Sequence, residues 1–178
     1  MLEEIINFWF VETPPKNWFV KDTDFDQLIT DRFSKLHAEA NANELFAWRD
    51  TPPGCLAEII ILDQFSRNIY RDNPQAFASD PLALCIAQYA VAAGFDKQLP
   101  VEQRSFIYMP YMHSESLLIH DIAVELFSQP GMENNLDFEI QHQNIIKRLG
   151  RYPHRNKILG RKSSPEEEEF LTQPGSGF

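Results

Sequence analysis

One stretch constrains this chain more than any other: Leu56-Ala57-Glu58-Ile59-Ile60-Ile61-Leu62-Asp63-Gln64-Phe65-Ser66-Arg67-Asn68-Ile69-Tyr70-Arg71. It is apolar on most sides of a helix, so it belongs in an interior. Yet an interior helix carries Asp, Gln, Arg and Asn only when they are paired with one another, with distant side chains or with a ligand. Two later segments offer partners: Tyr108-Met109-Pro110-Tyr111-Met112-His113-Ser114-Glu115 and Gly150-Arg151-Tyr152-Pro153-His154-Arg155-Asn156. The expectation is a polar interior site.

Around that stretch the apolar spacing is helical. Residues 2 to 10 read as a short amphipathic helix ahead of Pro14-Pro15. Thr23 reads as an N-cap opening a helix to about Ala40, with Phe25, Leu28, Ile29, Phe33 and Leu36 as its stripe. Pro52-Pro53-Gly54 precedes the central helix, which should fade near Asn73-Pro74. Asp80-Pro81 starts another, with Asp80 capping the free amides, and Gly94 ends it. The segment after Pro100 should kink or split at Pro110 and resume to about Phe127. Residues 134 to 149 form a further helix. Ser164-Pro165-Glu166-Glu167 is a capping box for a short helix near 165–171. The prediction is an all-α fold of seven to eight helices, in a single domain over 1–178.

Charge narrows the partners. A net charge of -10 argues against general nucleic-acid binding and against docking on anionic membranes. Seven of the sixteen basic residues nevertheless fall between Lys147 and Lys162, so a local anion site is open to the chain, as is a solvated basic surface. Cys55 and Cys85 have no redox or zinc spacing and read as a buried, reduced pair. The start Met1-Leu2-Glu3-Glu4 has no basic leader, and no apolar run could span a bilayer, which suggests a cytoplasmic protein.

At 100° per residue, Leu56, Ile59, Ile60, Asp63, Arg67, Tyr70 and Arg71 share one helical face, with Gln64 and Asn68 together on a flank. Asp63 and Arg67 can pair along the helix. Either that pair fixes helix packing, or Arg67 and Arg71 hold an oxyanion that Asp63 helps them meet. Further on, His113, Ser116, Leu117, His120, Val124 and Phe127 share a face. No carboxylate sits three or four residues from either histidine on it, so no metal or other cofactor is expected.

Three stretches, Asp63-Gln64-Phe65-Ser66-Arg67-Asn68, Met109-Pro110-Tyr111-Met112-His113-Ser114-Glu115 and Gly150-Arg151-Tyr152-Pro153-His154-Arg155-Asn156 with Leu159-Gly160-Arg161, closely resemble the bacterial family called domain of unknown function 924. The likeness extends to Ile6-Asn7-Phe8-Trp9-Phe10 and Ala76-Phe77-Ala78-Ser79-Asp80, and so covers almost the whole chain. It implies a tetratricopeptide-like antiparallel helical stack and brings no activity, substrate or cofactor. Where the family usually carries glutamine, seven residues after His113, this chain has His120, which argues against a hydrogen-bond role at that position.

Three functions compete. In the first, Asp63, Gln64, Arg67, Asn68, Arg71, Arg151, Arg155, Asn156 and Arg161 bind a small anionic molecule, while His113 or His154 serves as acid or base and Glu115 orients it. In the second, the helical stack is a scaffold for a protein or peptide partner. In the third, the polar segments only staple the fold.

Overall fold

The computed structural model describes residues 1–177, and those residues form helices and turns with no strand. The elements are α1 (Leu2–Asn7), α2 (Thr23–Asn41), α3 (Pro52–Ile59), α4 (Ser66–Ile69), α5 (Gln75–Ala78), α6 (Asp80–Ala92), α7 (Val101–Met112), α8 (Leu117–Phe127), α9 (Glu133–Leu149) and α10 (Pro165–Leu171). Taking the continuous run from Pro52 to Ile69 as one and setting aside the single turn of α5 leaves eight helices among the described residues, as the periodicity predicts. No helix is long and apolar enough to cross a membrane.

Four local expectations differ from the structure. The N-cap of α2 is Asp22, not Thr23: its carboxylate accepts from the Asp24 and Phe25 amides, a job for which the shorter reach of an Asx side chain suffices. Leu28 leaves the α2 stripe and is exposed, while Ile29, Phe33, Leu36, His37 and Ala40 are buried. Asp80 begins α6 but does not cap it, because its carboxylate is drawn to Arg67. Pro110 lies inside α7, and the break comes after Met112. There Ser116 is extended, at φ -114° and ψ 120°, and its N–H donates to the Ser114 hydroxyl, which turns the chain before α8 starts.

The described residues fall into two compact units. The first comprises Met1–Arg71 and Gln75–Pro110. In it α2 packs on α4, α1 on α3, and α3 on α6. Phe8, Phe33 and Phe65 form its centre; the Phe33 and Phe65 rings stack at 5.0 Å and Phe8 meets Phe33 edge-on at 4.9 Å. Between α3 and α4 the helix widens into a π turn, Ile60–Phe65, every residue of which is buried. A π turn holds an extra residue per turn and is common at functional sites. It also breaks the 100° spacing, so the single polar face inferred from a regular helix does not hold beyond Ile59.

The second unit comprises Asp72–Pro74 and the chain from Tyr111 onward. Its main packing is α8 on α9, and Ala123, Phe127, Ile145, Ile146 and Tyr152 are buried. Gly150 closes α9 at φ +72°, the left-handed conformation that suits glycine. The predicted capping box is present: the Glu167 amide donates to the Ser164 hydroxyl at 3.2 Å, and the Ser164 amide to Glu167 Oε2 at 2.7 Å.

Candidate functional site

In the first unit the polar residues of the central stretch are matched to carboxylates. Asp63 is fully buried and accepts from Gln64 at 2.6 Å. Arg67 lies 3.2 Å from the same carboxylate and spans Asp80 with two bonds, of 2.9 and 3.1 Å. It also donates to the Asp63 carbonyl at 2.7 Å. Arg71 forks onto Asp26 of α2, and Asn68 donates to that same carboxylate at 2.8 Å. These are two-point pairs of the kind arginine makes with an oxyanion. Their oxyanions here are Asp26 and Asp80, from 13 to 45 residues away along the chain.

The same unit contains a constellation with no sequence signature. His37 Nε2 lies 2.8 Å from the Ser66 hydroxyl, Asn41 donates to the His37 carbonyl, and Ser79 donates to Asn41. Serine, histidine and asparagine in contact suggest a nucleophile and its base. The geometry argues otherwise. The Ser66 hydroxyl is 2.6 Å from the Leu62 carbonyl and donates to it, so His37 must donate to Ser66, the reverse of what a base does. Ser66 is also fully buried. Burial lowers the pKa of His37, which keeps it neutral.

The second unit is organised around Tyr152, which is buried. Its phenol donates to the Met112 carbonyl at 2.5 Å, and its amide donates to Glu115 at 2.8 Å. These bonds tie the His113–Glu115 segment to the Tyr152–Asn156 segment, so two of the three stretches singled out in the sequence meet within one unit. Arg155 lies over the Tyr152 ring at 4.7 Å and donates to the His113 carbonyl at 3.1 Å. The His154 ring centre is 5.6 Å from that of Tyr152, and His142 and His120 lie at 5.7 and 6.2 Å. Burial drives the His142 pKa down to about 3, with His113, His120 and His154 each adding to the effect.

Glu115 and the remaining arginines are engaged as well. Arg161 grips Glu115 with bonds of 2.6 and 2.9 Å and donates to the Tyr152 carbonyl and to Asn156. Burial alone would raise the Glu115 pKa, but Arg161 and the Tyr152 amide outweigh it and hold the carboxyl low. Glu115 is therefore a fixed anion. Arg151 holds Glu167 at 2.5 and 2.9 Å, and Asn156 also donates to Ser163 at 3.1 Å.

His120 overturns the expectation that its substitution for glutamine carries no hydrogen-bond role. It is fully buried; Nδ1 lies 2.6 Å from Glu139 Oε1, and Nε2 lies 2.8 Å from the Ser114 carbonyl and 3.1 Å from the Tyr152 hydroxyl. Glu139 and His142 escaped the sequence reading because α9 looks like any amphipathic helix; two polar residues on its apolar face, three apart, were the only signal. No cluster of three or more His, Cys, Asp or Glu side chains among the described residues is arranged to hold a metal ion. A groove of about 270 Å³ lies in this unit beside Asn144, Arg148, Leu149 and Phe170, and includes none of the residues singled out above.

Comparison with known proteins agrees with this fold. The model of a family described as bacterial protein of unknown function (DUF924) matches residues 5–175. The solved structure of a protein of unknown function from Agrobacterium tumefaciens is 36% identical and superposes with a TM-score of 0.91, covering 96% of each chain. No curated protein matches.

Proposed function

The chain belongs to the DUF924 family of bacterial proteins of unknown function, which passes on no activity with its fold, and we propose that it binds a small anionic ligand at the His113, His154 and Arg155 cluster of the second unit. What supports this reading is the double tie from Tyr152 to Met112 and Glu115, which gathers a cation and two half-buried imidazoles from segments some forty residues apart. Arg155 supplies the positive charge. His113 and His154 supply groups that ordinarily titrate near neutrality and can hand a proton to a bound substrate or take one. Glu115 and Arg161 neutralise each other and act as the frame. Arg67, Arg71 and Arg151 stay outside the ligand's reach in this reading, since each already spans a carboxylate.

The test is a thermal-shift and calorimetric screen with phosphate, sulfate, nucleotides and small carboxylates, on the wild type and on His154→Asn and Arg155→Lys. At least one anion should stabilise the wild type, with affinity roughly tenfold or more weaker in Arg155→Lys, where the planar fork is lost. Silence from every anion, or equal binding in both variants, refutes the reading.

One observation favours a protein-docking role instead. Phe19 is 67% exposed beside the Trp18 and Phe106 rings, with Val11 and Val20 also exposed in the first unit. If this surface is the working one, Phe19→Ser abolishes co-purification of a discrete partner and leaves the anion response unchanged.

A further inference from the structure

The strongest unassigned feature is the buried pair of His120 and Glu139. The Ser114 carbonyl can only accept, so the imidazole must donate to it through Nε2. One proton remains to be shared over the 2.6 Å between Nδ1 and Glu139 Oε1. The other carboxylate oxygen, Oε2, is buried and has no hydrogen-bond partner. With the shared proton present, donor faces acceptor along the whole line from Glu139 through His120 to Ser114. Without it, the Nδ1 lone pair faces an ionised carboxylate at hydrogen-bond distance in a site that excludes water, an arrangement that cannot persist.

We infer that His120 and Glu139 form a proton-operated latch on the segment His113–Ser116: the protonated pair holds the Ser114 carbonyl and keeps the segment closed, and loss of the shared proton as pH rises releases it. The latch regulates the ligand site proposed above and rests on that reading for its consequence. The groups around the pair fit this role. On α9 these are Glu139 itself and His142. After α9 come Tyr152, whose phenol donates to Met112 and so accepts from His120, and then His154 and Arg155. The segment itself contributes His113 and the Glu115 carboxylate, which Arg161 neutralises. Asp121 of α8 is taken by Gln143 at 2.8 Å.

The sign follows from burial. Desolvation raises the Glu139 pKa, so the folded state favours the protonated carboxyl and the advantage fades as pH climbs through the raised value. Because the two groups are strongly coupled, the step belongs to the pair rather than to either residue.

The test uses the ligand-free protein, so it can fail independently of ligand binding. Amide exchange, corrected for its intrinsic pH dependence, is followed from pH 6 to pH 9.5 at Ser116 and Tyr152, with Ala123 as an internal reference within α8. In the wild type, protection at Ser116 and Tyr152 should drop roughly tenfold across one step while Ala123 stays protected. His120→Gln keeps a donor for the Ser114 carbonyl without titrating, and Glu139→Gln donates to Nδ1 without needing the shared proton. Both should flatten the step. A wild-type profile without a step, a step that survives both substitutions, or an Ala123 signal that falls in parallel overturns the inference.

Discussion

Glu167 offers the sharpest test of how the second unit is held together. Its carboxylate accepts from Arg151 at 2.5 and 2.9 Å and from the Ser164 amide at 2.7 Å. Arg151 first, and the Ser164 amide after it, pull the pKa from an ordinary 4.5 to about 2. At about 1.4 kcal/mol per tenfold change in proton affinity, that difference sets a ceiling of about 3.4 kcal/mol on what the ionised carboxylate contributes to folding. Arg151 is 32% exposed, and water screens a pair of that kind, so about 2 kcal/mol is the expected value. For a depressed carboxyl the contribution is complete above pH 4.5 and fades as pH falls towards 2. Glu167→Gln should therefore unfold at lower denaturant than the wild type at pH 7, by about 2 kcal/mol, and the gap should close by pH 2. Urea titrations of both proteins at several pH values measure this directly. Curves that run parallel from pH 7 to pH 2, or a gap below about 0.5 kcal/mol at pH 7, would show that Glu167 is an ordinary surface acid.

Three other outcomes follow from the geometry. Tyr152→Phe leaves the Met112 carbonyl and His120 without the phenol and should cost about 1–3 kcal/mol in chemical denaturation; an unchanged midpoint would mean the hydroxyl ties nothing. Asp26→Ala strands Arg71 and Asn68 together and should cost about 3 kcal/mol or more, whereas a loss under about 1 kcal/mol would class the cluster with weak surface pairs. Cys85 is exposed while Cys55 is buried with its thiol pushed up to about 11, so iodoacetamide should modify Cys85 in the native protein and Cys55 only after unfolding; mass spectrometry showing native Cys55 labelled would contradict the packing around α3.

The helices were legible because their apolar spacing is local information. Gly150, the Ser164 capping box and the start of α6 follow from a few adjacent residues. The end of α7 was not legible, since it is decided by bonds that Ser114 and Met112 make with His120 and Tyr152, up to forty residues away. The pocket-lining arginines show the same limit. Sequence marked Arg67, Arg71, Arg151 and Arg161 as anion binders and was right about their chemistry, but could not reveal that Asp80, Asp26, Glu167 and Glu115 are the anions they meet. The thought that Cys85 would be buried failed for a related reason: a cysteine on an apolar helix reads the same whether or not another element covers that side.

The widened turn at Ile60–Phe65 gives the first unit an unusual sensitivity to chain length. A regular helix would need one residue fewer over that span, so removing a single amino acid there would straighten it and swing the downstream turn by about a hundred degrees. Arg67 would then miss Asp80, and Arg71 would miss Asp26, although every one of those side chains was left intact. In this protein a shortening by one is a harsher lesion than most exchanges of one side chain for another, because it uncouples two anchor points at once.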